Sequence, residues 1–115
     1  MKNFQQGDEV LTIAVSDPPT PASGDPVRIG GFCGVAVANK QADGKTVVRI
    51  RGVFSVSVKA VDGSGNSAVA VGDKLYYVDA DTPKLSKKAT GTFFGYALGS
   101  VASGATAAID VLLAN

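Results

Sequence analysis

The sequence predicts an all-β protein, a small antiparallel β-barrel or β-sandwich of six to eight strands. Three observations predict it. The pairs Gly7-Asp8, Gly24-Asp25 and Gly72-Asp73 each open a short apolar stretch, and no amphipathic pattern of helical length lies between them. Valines outnumber leucines sixteen to six, which favours half-buried pleated surfaces. The apolar positions that do repeat alternate with a period of two.

The first strand is read from Glu9 to Val15, where Leu11, Ile13 and Val15 alternate with Val10, Thr12 and Ala14. Asp17-Pro18-Pro19-Thr20-Pro21-Ala22-Ser23-Gly24 stops it, because prolines donate nothing to a ladder and hold their neighbours extended. This Pro-rich loop (17–24) is expected to be an exposed loop or edge arm, the segment best placed to reach another molecule. Pro26 to Ile29 is the short apolar stretch that Gly24-Asp25 opens. Between Phe32 and Asn39, Cys33, Val35 and Val37 share one face, which makes Cys33 a core side chain, and Asp43-Gly44 supplies the next turn.

Lys45 to Val61 is the clearest strand signal. Val48, Ile50, Phe54, Val56, Val58 and Ala60 fall on one face, and Arg49, Arg51, Ser55, Ser57 and Lys59 on the other. Gly52 in its middle marks a bulge or bend where the strand passes from one sheet to another. Asp62 to Ser67 reads as a flexible polar loop, Leu75 to Val78 as a strand, and Asp79 to Thr90 as a loop whose Lys84, Lys87 and Lys88 serve solubility. Two last strands span Thr92 to Leu98 and Thr106 to Leu113. A Gly-Asp pair followed by Phe32-Cys33-Gly34-Val35-Ala36-Val37 has an echo in Gly72-Asp73 followed by Phe93-Phe94-Gly95-Tyr96-Ala97-Leu98, which suits a pseudo-symmetric structure made of two related β-units.

With 115 residues, the chain is expected to be one β domain (1–115) with an N-terminal arm (1–7). A net charge of +1 creates no global field for nucleic acid or an anionic membrane, and no apolar run is long enough to span a bilayer. The N-terminus lacks the pattern of a secretory signal, so synthesis and folding in a cytoplasm are expected.

Chemistry is constrained by what is missing. There is no histidine, so serine or Cys33 nucleophiles lack the usual proton acceptor, and one cysteine allows neither an intrachain disulfide nor a thiolate zinc site. Five of the ten acids, Asp8, Asp25, Asp43, Asp62 and Asp73, adjoin a glycine and are explained as turn residues. Asp79-Ala80-Asp81 lacks the rest of a calcium loop, and Gly63-Ser64-Gly65 lacks the phosphate-loop lysine and following helix. The sequence therefore predicts no enzyme, no cofactor and no metal. Arg49, Arg51 and Lys59 could meet a partner's phosphates or carboxylates, or form an ordinary solvated face. Alternation sends Phe93 opposite to Phe94 and Tyr96, so one member of this cluster is a candidate for an oligomer interface.

Met1-Lys2-Asn3-Phe4 with Gly7-Asp8, Phe32-Cys33-Gly34-Val35-Ala36, Arg51-Gly52-Val53-Phe54, Val71 to Tyr77, Gly95-Tyr96-Ala97 and Asp110-Val111-Leu112-Leu113 together carry a resemblance over essentially the whole chain. It resembles the capsid cement, or decoration, proteins of tailed bacteriophages. The resemblance implies a β-rich structural virion protein on the outer surface of the head, made in the bacterial host cytoplasm. It further implies homotrimers that bind the major capsid protein and reinforce contacts between capsomers, with no nucleic acid or membrane partner. On that basis Lys2, Asn3, Phe4, Gln5, Pro18, Pro19, Pro21, Arg49, Arg51 and Lys59 are capsid-contact candidates, and Phe93, Phe94 and Tyr96 oligomer-interface candidates. The alternative from another class is a β-sandwich binding module for carbohydrate or peptide in a phage tail or fibre.

Overall fold

The computed structural model describes residues 10–114, and the arm candidates Lys2, Asn3, Phe4 and Gln5 lie outside them. Within these residues the fold is all-β, without a helix. Eight strands have four or more residues: β1 (Val10–Ile13), β2 (Pro26–Ile29), β3 (Phe32–Ala36), β4 (Thr46–Arg49), β5 (Val53–Lys59), β8 (Lys74–Tyr77), β10 (Thr92–Ala97) and β11 (Thr106–Leu113). Three more have two residues each: β6 (Val61–Asp62), β7 (Gly65–Asn66) and β9 (Leu85–Ser86).

The strands form two principal layers. A four-stranded antiparallel sheet has the order β1-β4-β3-β2, and a closed barrel has the order β10-β11-β5-β9-β8, with only the β5–β9 pairing parallel. Gly52 sits between them at φ +115°, a conformation that favours glycine. The stretch read as one strand from Lys45 to Val61 is thus divided between β4 in the four-stranded sheet and β5 in the barrel, with Val61 opening β6, and the expected crossing at Gly52 is present.

Each layer has its own apolar cluster. Val27, Ile29, Ala36 and Val48 are buried inside the four-stranded sheet, with Ile13, Val15, Phe32 and Ile50 packed against them. The sheet curls around this cluster. After β1 the chain returns to the far edge of β2, where Ser16 N and Asp17 N donate to Arg28 O at 2.9 and 3.2 Å and Arg28 N donates to Asp17 O at 2.8 Å. The larger cluster fills the barrel with Val56, Val58, Leu75, Tyr77, Leu85, Phe94, Val111 and Leu113 among others. Burying side chains of this size stabilises by about 1.5–3 kcal/mol each, so the barrel interior is the main source of stability.

β3 belongs to both clusters. Phe32 and Ala36 face the small one, whereas Cys33 and Val35 join the barrel cluster and seal the two layers together. Cys33 is fully buried, as its alternation predicts, but Val37 is 41% exposed because β3 ends at Ala36.

The internal echo is a structural repeat. Gly24 N donates to Ala36 O and Ala36 N to Asp25 O, at 2.7 and 2.9 Å; Gly72 N donates to Ala97 O and Ala97 N to Asp73 O, at the same two distances. Both glycines have φ near +91°, and both aspartates turn back to accept a main-chain bond, Asp25 Oδ2 from Ala22 N at 3.0 Å and Asp73 Oδ2 from Ala70 N at 2.8 Å. The strand order β1-β4-β3-β2 accordingly repeats as β5-β11-β10-β8, with β9 inserted to close the second unit.

Two loop expectations are corrected. Asp62 to Ser67 is largely a tight hairpin, in which β6 pairs with β7 and Ser64 N donates to Asp62 Oδ1 at 2.8 Å. The loop from Asp79 to Thr90 contains β9, whose Leu85 and Ser86 are buried in the barrel wall; two residues among lysines are too short to show a period.

Candidate interaction surface

The Pro-rich loop is not a projecting arm. Lys40 N donates to Pro21 O and Lys40 Nζ to Pro19 O, both at 3.0 Å, and Ser23 N donates to Asn39 Oδ1 at 2.9 Å, so the loop is fastened along the segment after β3. Pro21 is buried, which removes it as a capsid-contact candidate. Pro19 is exposed, and Pro18 is half-buried in a cleft between the layers. Three prolines in eight residues reveal an extended backbone but not the lysine and asparagine that hold it.

Polar contacts join the two layers where Pro18 enters. Arg28 on β2 makes a two-pronged contact with Asp79 beyond β8, Nε to Oδ1 and Nη2 to Oδ2 both at 2.8 Å. That bond holds the Asp79 carboxyl below its ordinary range and raises the Arg28 guanidinium. Tyr77 donates its hydroxyl to Asp17 Oδ2 at 2.5 Å, and Lys84 Nζ lies 3.2 Å from the same oxygen. Burial pushes the Tyr77 phenol far above its usual value, and the bond to Asp17 adds to this by favouring the protonated donor. The nearby Cys33 thiol is pushed up to about 12 by burial, so at neutral pH it carries no nucleophilic thiolate.

The lysines expected to serve only solubility also hold the structure. Besides Lys84, Lys87 Nζ donates to Ser67 Oγ and Ala68 O at 3.0 Å and lies 3.4 Å from Asp73, and Lys88 pairs with Asp81 at 2.8 Å. Both acids of Asp79-Ala80-Asp81 are therefore engaged by cations of the chain itself. Among the described residues no cluster of His, Cys, Asp or Glu fits a metal ion.

Arg49, Arg51 and Lys59 are exposed, but they do not share one face. Arg49 ends β4 in the four-stranded sheet, Lys59 ends β5 in the barrel, and Gly52 turns the chain between them. Lys59 instead borders a polar hollow of about 470 Å³ with Asp62, Asp81 and Lys88.

The aromatic cluster on β10 is rearranged by a β-bulge. Phe93 pairs with Tyr76, but Gly95 pairs with Leu75, leaving Phe94 as the extra residue. Phe93 and Tyr96 consequently both point outward and Phe94 points into the barrel, where it is 1% exposed. This corrects the expectation that Phe93 opposes the other two, and it removes Phe94 as an interface candidate. Alternation could not reveal the bulge.

An exposed apolar stripe results. Val53, Leu112 and Tyr96 are paired in a row across β5, β11 and β10, and Phe93 and Tyr76 stand beside them on β10 and β8. Val53 and Leu112 are 50% and 40% exposed, and Phe93 37%. The Phe93 ring centroid is 5.5 Å from Tyr96 at 82° and 5.7 Å from Tyr76 at 50°, with Lys74 Nζ 5.9 Å away. Rings inclined in this way make no flat platform for a sugar. Val53, Tyr76 and Leu112 were not among the sequence candidates, because only cross-strand register assembles them.

Among the described residues, Asp17, Asp73, Asp79 and Asp81 are thus paired with cations of the chain, and the barrel wall carries an exposed apolar stripe of the kind that protein interfaces cover. Comparison with known families agrees: the family described as phage cement protein matches residues 4–113. The chain belongs to that family. No curated protein and no solved structure matches it. As a phage cement protein it is a structural component of a phage, and its partner is the capsid.

Proposed function

We propose that this cement protein binds the outer surface of the phage head as a homotrimer and stabilises contacts between capsomers. Beyond family membership, the observation that carries this reading is the stripe of Val53, Tyr76, Phe93, Tyr96 and Leu112, an apolar surface of a kind that protein interfaces cover. In this reading Phe93 and Tyr96 with their neighbours bury the trimer seam. The exposed Pro19, Arg49, Arg51 and Lys59, with Pro18 in its cleft and Lys2, Asn3, Phe4 and Gln5 of the arm, face the major capsid protein.

The physical role follows from linkage. A ligand that binds only adjoining capsomers stabilises the joined state, and packaged DNA must then break its contacts before they separate. Three copies in one trimer make several weak contacts act together. The protein is made in the host cytoplasm and acts without a cofactor, a nucleic acid or a membrane.

Heads assembled without the protein provide the test. Wild-type protein should elute as a trimer by light scattering, saturate such heads and raise the temperature at which they open. Phe93→Asp should remain folded but become monomeric and lose most head binding. A trimeric, fully binding Phe93→Asp protein would remove the stripe from the seam, and wild-type protein that ignores the heads would refute the capsid reading.

A further inference from the structure

A cleft of about 400 Å³ lies between the two layers, with Pro18 and Pro26 on one wall and Ser55, Ser57, Pro83 and Lys84 on the other. The β5 wall is an open sheet edge. Leu98 N donates to Asp110 O at 2.8 Å, so the main-chain groups of Asp110 point toward β10. Its partner across the β5–β11 ladder is Ser55, which must then sit in a non-hydrogen-bonded pair with its own N–H and C=O turned away from β11. The ends of the ladder agree: Leu113 N donates to Gly52 O and Ala60 N to Ala105 O, so the even-numbered residues of β5 bond to β11.

Val53, Ser55 and Ser57 therefore direct their main-chain groups to the opposite edge. There β9 meets β5 at a single bridge, Val58 with Leu85, and leaves the Ser55 N–H and C=O and the Ser57 N–H facing the cleft. Among the described residues no main-chain bond reaches them from that side. The facing wall is complementary in one respect only. Arg28 turns its N–H and C=O outward to Asp17, so Pro26, two residues earlier, also turns its carbonyl outward and has no N–H to offer.

We propose that this edge receives an extended segment of the capsid subunit, added as a strand alongside Val53–Ser57. The inference rests on the cement reading above and adds to it the mode of attachment. A folded second copy is a poor occupant, because Pro18, Pro26 and Pro83 line the cleft beside the edge and prolines offer no N–H to pair with another sheet. A loop or tail running alone can enter, donate to Ser55 C=O, accept from the Ser55 and Ser57 amides, and offer a further N–H to Pro26 C=O. Its side chains alternate, so those on one side rest on Pro18 and Pro83, where small or apolar residues fit. The groove adjoins the exposed stripe, since Val53 contributes its side chain to the stripe and its main chain to this edge.

Hydrogen–deuterium exchange on the intact protein, alone and bound to cement-free heads of its own phage, tests the proposal. The Ser55 and Ser57 amides should exchange at least about tenfold more slowly on the heads than in the free trimer. Ser55→Pro removes the amide facing the cleft and none that serves β11; it should keep its melting temperature and bind heads about tenfold more weakly. If Ser55→Pro does not fold, the exchange measurement on the unaltered chain decides. Unchanged exchange on occupied heads overturns the strand addition while the cement reading stands. Failure to bind heads at all overturns the reading beneath it. Equal protection in the trimer without heads makes a second copy the occupant and overturns the capsid segment.

Discussion

The two Gly-Asp units share their main-chain bonds and end as different objects. In the first, the turn at Gly24-Asp25 leads through β2 and β3 into a sheet that curls around a small cluster and closes on itself through Asp17 and Arg28. In the second, the same turn at Gly72-Asp73 leads through β8 and β10 into a full barrel closed by β9. The decisive difference is one residue. Phe32 lies inward and Cys33 outward on β3, whereas the bulge on β10 reverses the corresponding pair, with Phe93 outward and Phe94 inward. The first unit's outer face, with Cys33 and Val35, is covered by the barrel cluster, and the second unit's outer face carries the aromatic rings of exposed Phe93 and half-buried Tyr96.

The largest test of this contrast is the pair of adjacent phenylalanines. Phe94→Ala should cost about 3–5 kcal/mol in denaturant unfolding, because it empties the barrel, while Phe93→Ala should cost under about 1 kcal/mol and instead weaken trimer formation. Similar stabilities for the two variants would place the bulge elsewhere.

The paired glycines come next. A Cβ on Gly95 would collide with Leu112 O, and one on Gly34 would stand 2.5 Å from Val48 Cγ1 and 2.6 Å from Arg49 O. Both alanine variants should lose about 1–3 kcal/mol by thermal melting, with Gly95→Ala the worse, because its main-chain obstacle lies closer and all its nearest atoms are main chain, whereas at Gly34 the Val48 side chain can give way and only Arg49 O remains. An equal loss would indicate that the two strand contacts are equally rigid.

The turn aspartates should show the smallest effects. Asp25→Ala and Asp73→Ala each remove an acceptor for a main-chain N–H, at about 1 kcal/mol, and Asp73→Ala additionally releases Lys87. The Ala70 N–H and then Lys87 hold the Asp73 carboxyl below its ordinary value. With the folded pKa below the unfolded one, its stabilisation is complete above about pH 4 and is lost as the pH falls through the folded value. Stability measured from pH 5 to pH 2 should thus decline less in Asp73→Ala than in the parent, and identical slopes would deny Asp73 this role.

Much of the fold was legible because its signals are local. Gly-Asp pairs require turns, period-two valines require strands with one buried face, and Gly52 interrupting such a run requires a bend. The interaction surface was less legible. The burial of Phe94 and Pro21 is not legible, since neither a bulge nor the bonds made with Lys40 and Asn39 leave a mark in the composition of their own segments. Arg49 and Lys59 were assigned one face on the premise of an unbroken strand, and the turn at Gly52 separates them.

By itself the sequence determined the strand class, the repeated turn, the absence of histidine and disulfide chemistry, and the likeness to cement proteins, because each depends on residue type and short spacing. Only the tertiary structure decided which strands became neighbours. That choice joined Val53, Leu112, Tyr96, Phe93 and Tyr76 into one stripe, turned Phe94 inward and left the β5 edge open, because pairing register is set between segments far apart in the chain.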